Sequence, residues 1–143
     1  MEIDPNIYNS LGITRDLADD SYRGYRYIIR SCRGDHPCCY IQIPEDHPWY
    51  LKTYRNMEDE AEKAIANGTP CPPYINVHGG ITYTDNLNMR NTWWIGWDYA
   101  HMGDYCHAFA ERFGRKKSDH VYTVDELIHD VHDAIDQLIL AFS

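Results

Sequence analysis

The last segment of the chain has the clearest pattern of hydrophobic and polar positions. Between positions 124 and 142, apolar residues recur every three or four residues, at Leu127, Ile128, Val131, Ile135, Leu138 and Ile139. Thr123 and Glu126 precede this stripe as a capping box, in which each side chain bonds the backbone N–H of the other residue. The pattern predicts an amphipathic helix over residues 124–142.

Aromatic and β-branched residues predict the strands. The segments 25–32 (YRYIIRSC) and 39–43 (CYIQI) flank the turn-forming letters RGDHPC, which indicates a β-hairpin. Two or three further strands are predicted within residues 74–78 (YINVH), 81–84 (ITYT) and 93–97 (WWIGW).

Helix formers occupy the segments between these strands. They predict a helix over residues 57–66 that ends before Gly68, a short helix near residues 14–18, and a loop entering a helix over residues 98–113. This order of elements is typical of an α+β fold. We expect an antiparallel or mixed sheet of about five strands with helices packed on one face, and a single domain over residues 1–143.

Composition and charge narrow the classes of partner. The chain has 143 residues, of which 43% are hydrophobic, and its net charge is −9. Nucleic-acid binding draws its affinity from clustered Lys and Arg, so we expect no direct binding to a phosphate backbone. The sequence has no apolar run typical of a signal peptide or a membrane span, which predicts an intracellular protein without membrane association.

The chain has five cysteines and eight histidines, residue types that bind metal ions. The odd cysteine count predicts reduced thiols rather than a disulfide framework. Since the chain has no C-x-x-C pair, we expect any metal site to use His and carboxylate ligands with one Cys at most.

Candidate ligands lie where predicted strands end. The motifs VHGGITY and WWIGWDYAHMGDY place His78, Asp98, His101 and Asp104 there, and His47 lies between two prolines. These residue types suit zinc or a similar cation, and the two glycines after His78 allow close backbone approach. Two other interpretations stay open: a metal-free polar seam in the core, and a metal-free catalytic site.

Aromatic residues are a second set of candidate functional residues. They either build the core or stack on a nucleotide base, as aromatic platforms do. The core interpretation is favoured because WWIGW alternates as a strand does. The residues are Tyr83, Trp93, Trp94, Trp97 and Tyr99.

The segments CYIQIPEDHPWYLKTY, VHGGITY and WWIGWDYAHMGDY resemble small uncharacterised proteins of bacteriophages and prophages. The likeness covers about residues 25–105 and, more loosely, the last helix. It includes all five candidate ligands named above. The relatives usually carry Cys at the position of Tyr99, so a thiol ligand is missing there in this chain.

This resemblance implies a protein that blocks a host defence system in the bacterial cytoplasm. The expected activity is that of an anti-CRISPR protein, a Cas9 inhibitor that obstructs DNA loading through its acidic helix, because Cas9 holds nucleic acid in a positively charged channel. In this hypothesis zinc is structural. The partner-binding residues are Asp125, Glu126, Asp130, Asp133 and Asp136.

Two further functions stay open. A metal-dependent hydrolase would hold its ion with His78, Asp98 and His101 and use Asp104 or a bound water for the chemistry. A nucleotide sponge would stack a base on the aromatic residues and hold phosphate with Arg26, Arg30 or Arg90.

Overall fold

The structure is a computed structural model that describes residues 3–143. Five antiparallel strands form one sheet in the order β1-β2-β3-β5-β4. The strands are β1 (Arg15–Tyr22), β2 (Tyr25–Cys32), β3 (His36–Gln42), β4 (Tyr83–Asp85) and β5 (Trp94–Asp98). Together with three helices, this sheet confirms the predicted α+β class.

Three helices complete the fold: α1 (Tyr54–Asn67), α2 (His107–Phe113) and α3 (Val124–Ala141). Helix α1 begins three residues before the predicted start, because Thr53 and Asn56 form a capping box there. It ends as predicted at Gly68, whose φ of 66° is the left-handed conformation that glycine adopts most easily. Within residues 3–143, no helix is both long and apolar enough to cross a membrane.

Helix α3 packs its apolar stripe on the sheet. Thr123 accepts from the backbone N–H of Glu126, and the Glu126 side chain accepts from that of Thr123, which confirms the predicted capping box. The buried residues of the helix are Leu127, Val131, Ala134, Ile135 and Leu138. They join one large apolar cluster with Ile29, Ile41 and Ile95 of the central strands.

Side chains alternate between the two faces of the sheet, as strand geometry requires. Cys39 contributes to the helix-covered face, whereas its neighbours Cys38 and Tyr40 belong to a smaller cluster with Trp94 on the opposite face. Trp94 and Trp97 are both buried, which confirms the core interpretation for these two rings.

The predicted helix near residues 14–18 is wrong, because β1 begins at Arg15. The register of β1 against β2 shifts between Asp16 and Ala18, which leaves Leu17 as an extra residue. Such a bulge interrupts the two-residue alternation by which a strand is recognised. Ion pairs of Asp19 with Arg26 and Asp16 with Arg30, both at 2.7 Å, reinforce the pairing.

Residues 74–78, one of the three segments predicted to hold two or three further strands, form no strand. This segment has no partner strand, and it contacts α3 instead. The backbone N–H of Asn76 donates to Gln137 Oε1 at 2.8 Å, and Gln137 Nε2 donates to the Asn76 carbonyl at 2.9 Å. The side-chain amide of Gln137 thus makes the backbone hydrogen bonds that a partner strand would otherwise make. The segment leads directly to His78.

Replacing Thr123 by Ala should lower the free energy of unfolding by about 1 kcal/mol, because the first turn of α3 loses its cap. Urea denaturation followed by circular dichroism measures this change. Thr123→Ser keeps the hydroxyl and should stay within a few tenths of a kcal/mol of the parent protein. Equal losses in both variants would contradict a role for the cap.

Candidate functional site

A buried carboxylate, Asp104, lies at the centre of the region that the sequence motifs indicate. Only 7% of this residue is exposed. Its Oδ2 accepts from the backbone N–H of His101 at 3.0 Å and lies 2.7 Å from His78 Nε2, while its Oδ1 accepts from the Tyr122 hydroxyl at 2.9 Å. Asp104 therefore joins three segments of the chain.

Backbone pairing holds the Asp104 loop in place. Asp104 and His120 form an isolated parallel bridge, in which Tyr105 N donates to the His120 carbonyl at 2.9 Å. His120 N donates to the Gly103 carbonyl at 2.8 Å. The loop therefore approaches the start of α3, where Tyr122 lies.

His78 lies on a tight turn and against an aromatic ring. Gly80 N donates to the Val77 carbonyl at 2.9 Å, which closes the turn. The imidazole of His78 stacks on Tyr99, with ring centroids 4.6 Å apart and planes 10° apart. Its side chain is 33% exposed. Among residues 3–143, Nδ1 of this ring has no hydrogen-bond partner, so the exposed part of the imidazole keeps a free nitrogen.

His101 and Asp98 form the second half of this cluster. His101 Nε2 lies 3.2 Å from Asp98 Oδ1, at an angle that makes no hydrogen bond to any described residue. Asp98 also accepts from the Ala100 backbone N–H at 3.1 Å and from the Thr82 hydroxyl at 3.2 Å. Gly79 lies directly against the His101 ring, and a Cβ at this glycine would overlap that ring.

Four of the five predicted metal ligands lie in this region as two pairs, His78 with Asp104 and His101 with Asp98, and no three of them offer ligand atoms within 4.8 Å of one another. His47 lies elsewhere: its ring packs against Trp49 and Phe142, and its Nδ1 accepts from the Trp49 backbone N–H at 3.0 Å. Burial there lowers the pKa of His47. Metal binding by the other four residues stays a prediction.

A tighter group of ligand atoms lies at the turn end of the β2–β3 hairpin. Cys32, His36 and Cys38, hereafter the thiol cluster, each offer a ligand atom, and these atoms lie within 4.8 Å of one another. Ligand atoms of Asp35, His36 and Cys106 also lie within 4.8 Å of one another. Within residues 3–143 these two groups bring three ligand atoms this close together, and the first contains two cysteines, whereas the sequence predicted one Cys at most.

Hairpin register explains the thiol cluster. Cys32 pairs with His36, and Cys38 lies two residues further along the same strand, so all three side chains share one face. Cys32 Sγ and Cys38 Sγ are 2.6 Å apart. This hydrogen bond lowers the pKa of Cys32 to about 7 and raises the pKa of Cys38, because one thiol donates to the other as it ionises.

The sequence contains the signal for this cluster, but it is easily missed. With the second strand predicted to begin at Cys39, both His36 and Cys38 fall in the turn. The strand actually begins at His36. The register then follows from the hairpin itself and brings Cys32 to the same face.

Four of the five acidic residues predicted to bind a partner have internal contacts. Asp136 pairs with Arg23 at 2.8 Å, Asp130 accepts from the Tyr99 hydroxyl at 2.8 Å, and Glu126 accepts from the Thr123 backbone N–H at 3.1 Å as part of the cap. Asp125 and Asp133 are exposed, and Asp133 accepts from the Gln137 amide. The open part of the acidic surface is therefore smaller than the helix pattern predicts.

Most of the aromatic residues that would stack on a base in a nucleotide sponge are buried. Trp94, Trp97 and Tyr99 are each at most 2% exposed, so their rings have no face open to a base. Arg26 and Arg30, predicted to hold phosphate, form ion pairs with Asp19 and Asp16.

Comparison of the chain with protein-family models, with curated proteins and with solved structures finds no match. The groups with functional chemistry lie in two centres. One is the buried Asp104 with its histidine partner His78, and the other is the thiol cluster at the hairpin end.

Gly79→Ala should destabilise the protein by about 1–3 kcal/mol more than Gly80→Ala does, because only the first substitution forces the His101 ring to move. The pair is well matched, since both glycines have positive φ, 71° and 81°. At Gly80 the nearest atom to a new Cβ is the Tyr74 hydroxyl at 3.8 Å. Urea denaturation of both variants tests this, and equal losses would refute the close packing at Gly79.

Proposed function

We propose that this chain is a zinc-binding protein and that the thiol cluster holds the ion. The observation that carries the proposal is the convergence of Cys32, His36 and Cys38 on one face of the hairpin. Thiolate sulfur and imidazole nitrogen are the ligands that structural zinc sites use. Cys106 is the residue best placed to supply a fourth ligand, since it groups with Asp35 and His36.

Asp35 supports the same interpretation. Its Oδ2 lies 2.7 Å from His36 Nδ1, the arrangement by which carboxylates orient metal-binding histidines and leave Nε2 for the ion. Asp35 also accepts from the backbone N–H of Ala108, at 2.8 Å, in the first turn of α2. Zinc at the thiol cluster would therefore stabilise the junction between the hairpin and α2, which is a structural role.

Protein prepared with zinc should contain about one equivalent of the metal, measured by elemental analysis after dialysis. Cys38→Ser should weaken zinc binding at least tenfold in a competition titration, because it removes one thiolate ligand. Cys71→Ser is the matched control, since Cys71 is exposed and lies outside both ligand groups. Full zinc content in Cys38→Ser, or none in the parent protein, would overturn the proposal.

We further propose that the protein acts by binding a basic surface of a host defence effector, with Cas9 as the first candidate. Resemblance to phage proteins suggests this class, and charge supports it: the chain carries −9 overall and has no Lys or Arg after Lys117. Asp125 and Asp133 are exposed carboxylates of α3. Complementary charge speeds encounter and orients partners more than it adds affinity.

Asp125→Asn with Asp133→Asn should weaken binding to guide-loaded Cas9 about three- to tenfold, because two exposed charge contacts are lost. Surface plasmon resonance at fixed salt measures this. Glu58→Gln with Asp59→Asn removes the same charge from exposed positions of α1 and should leave affinity unchanged. Equal losses in both double variants would remove α3 as the interface, and absence of binding by the parent protein would exclude Cas9.

A further inference from the structure

We propose that His78 is a general base, held by Asp104 and Tyr122, that activates water for hydrolysis of small esters or amides carrying a positive charge. This activity goes beyond zinc and partner binding and depends on neither. It requires three features: a fixed tautomer of His78, an open nitrogen beside a cavity, and a cavity whose charge selects the substrate.

The tautomer follows from the contacts of Asp104. This carboxylate accepts from the His101 backbone N–H and from the Tyr122 hydroxyl. Burial raises the pKa of Tyr122, so its hydroxyl stays protonated and acts as the donor. The ring nitrogen of His78 that faces Asp104 is Nε2, at 2.7 Å. A carboxylate partner fixes the proton on that nitrogen, which leaves the lone pair on Nδ1.

The His78 ring is also held in orientation. Tyr99 stacks on one face, and the Tyr122 ring lies edge-on with its centroid 5.8 Å away. Because Asp104 is buried, this hydrogen bond is shielded from water. Such an arrangement, in which a buried acid orients an imidazole, is the supporting half of known hydrolytic triads.

A cavity of about 220 Å³ adjoins the imidazole. Its walls are Asn76, Val77, His78, Trp97, Asp130 and Asp133. Two carboxylates in so small a space disfavour phosphate or carboxylate groups and favour an ammonium or guanidinium group. The cavity therefore selects a small cationic substrate whose reacting carbonyl lies beside His78.

The reaction balances without a cofactor. His78 Nδ1 takes a proton from water as the water oxygen bonds the carbonyl carbon of the substrate. The tetrahedral intermediate then breaks its bond to the leaving oxygen or nitrogen, which takes the proton back from the imidazolium. The products are a carboxylic acid and an alcohol or amine, and His78 returns to its starting tautomer.

Hydrolysis of the p-nitrophenyl ester of lysine tests the proposal, with the anionic p-nitrophenyl succinate as the charge comparison. All proteins carry Cys71→Ser, because this exposed thiol would itself react with activated esters. His78→Gln should lower kcat/KM for the lysine ester about 100-fold, the usual size of a general-base contribution. His129→Gln, at an exposed position of α3, should change nothing.

A separate measurement tests whether the cavity selects a positively charged substrate. Asp133→Asn should raise KM for the lysine ester several-fold, leave its kcat unchanged, and reduce the preference over the succinate ester. Equal rates for His78→Gln and His129→Gln, or no turnover by the parent protein, would overturn the proposal. So would a preference for the anionic ester.

A measurement on the unsubstituted site covers the case in which His78 variants fail to fold. In ¹⁵N NMR of the full chain, His78 should be the Nε2–H tautomer, and Asp104→Asn should shift it toward a mixture. An Nδ1–H tautomer in the parent protein would overturn the proposal.

Discussion

The central part of this fold depends on the hydrogen bonds of the buried Asp104 carboxylate. A carboxylate can be buried only where donors replace its water, and three groups supply them: His78 on its turn, the backbone N–H of His101 in the same loop as Asp104, and Tyr122 at the start of α3. Removing any one donor would leave part of this buried carboxylate without a hydrogen bond. These bonds tie the irregular segment between β5 and α2 to two segments that are distant in sequence.

The thiol cluster and the Asp104 centre differ in chemistry because they are built on different kinds of local structure. The thiol cluster is built on a regular hairpin, whose register fixes the spacing of Cys32, His36 and Cys38 and offers soft ligands for a metal ion. The Asp104 centre is built on loops, where Gly79 allows the ring of His101 to approach the backbone. There the histidines are directed at carboxylates, an arrangement suited to moving protons.

Local patterns predicted the elements whose stability is local. The capping box at Thr123, the stripe of α3, the Gly68 terminus and strand β2 all follow from residues near one another in sequence. The predictions failed where contacts between residues distant in sequence determine the local structure. The bulge at Leu17 hides the alternation of β1, and Gln137 rather than a strand satisfies Asn76.

The candidate site was predicted in the same uneven way. Motif spacing grouped His78, Asp98 and His101 with Asp104, which lie in one region of the structure, but it also included His47, whose ring packs into an aromatic cluster with Trp49. The thiol cluster was missed because counting C-x-x-C pairs ignores ligands that a hairpin brings together across strands. Side-chain partners such as Arg23, which pairs with Asp136, cannot be deduced from a helical pattern alone. Anomalous scattering at the zinc absorption edge, from crystals grown with zinc, distinguishes the two centres. We expect one strong peak bounded by Cys32, His36 and Cys38. A peak beside His78 and His101, or no peak at all, would contradict zinc binding at the thiol cluster.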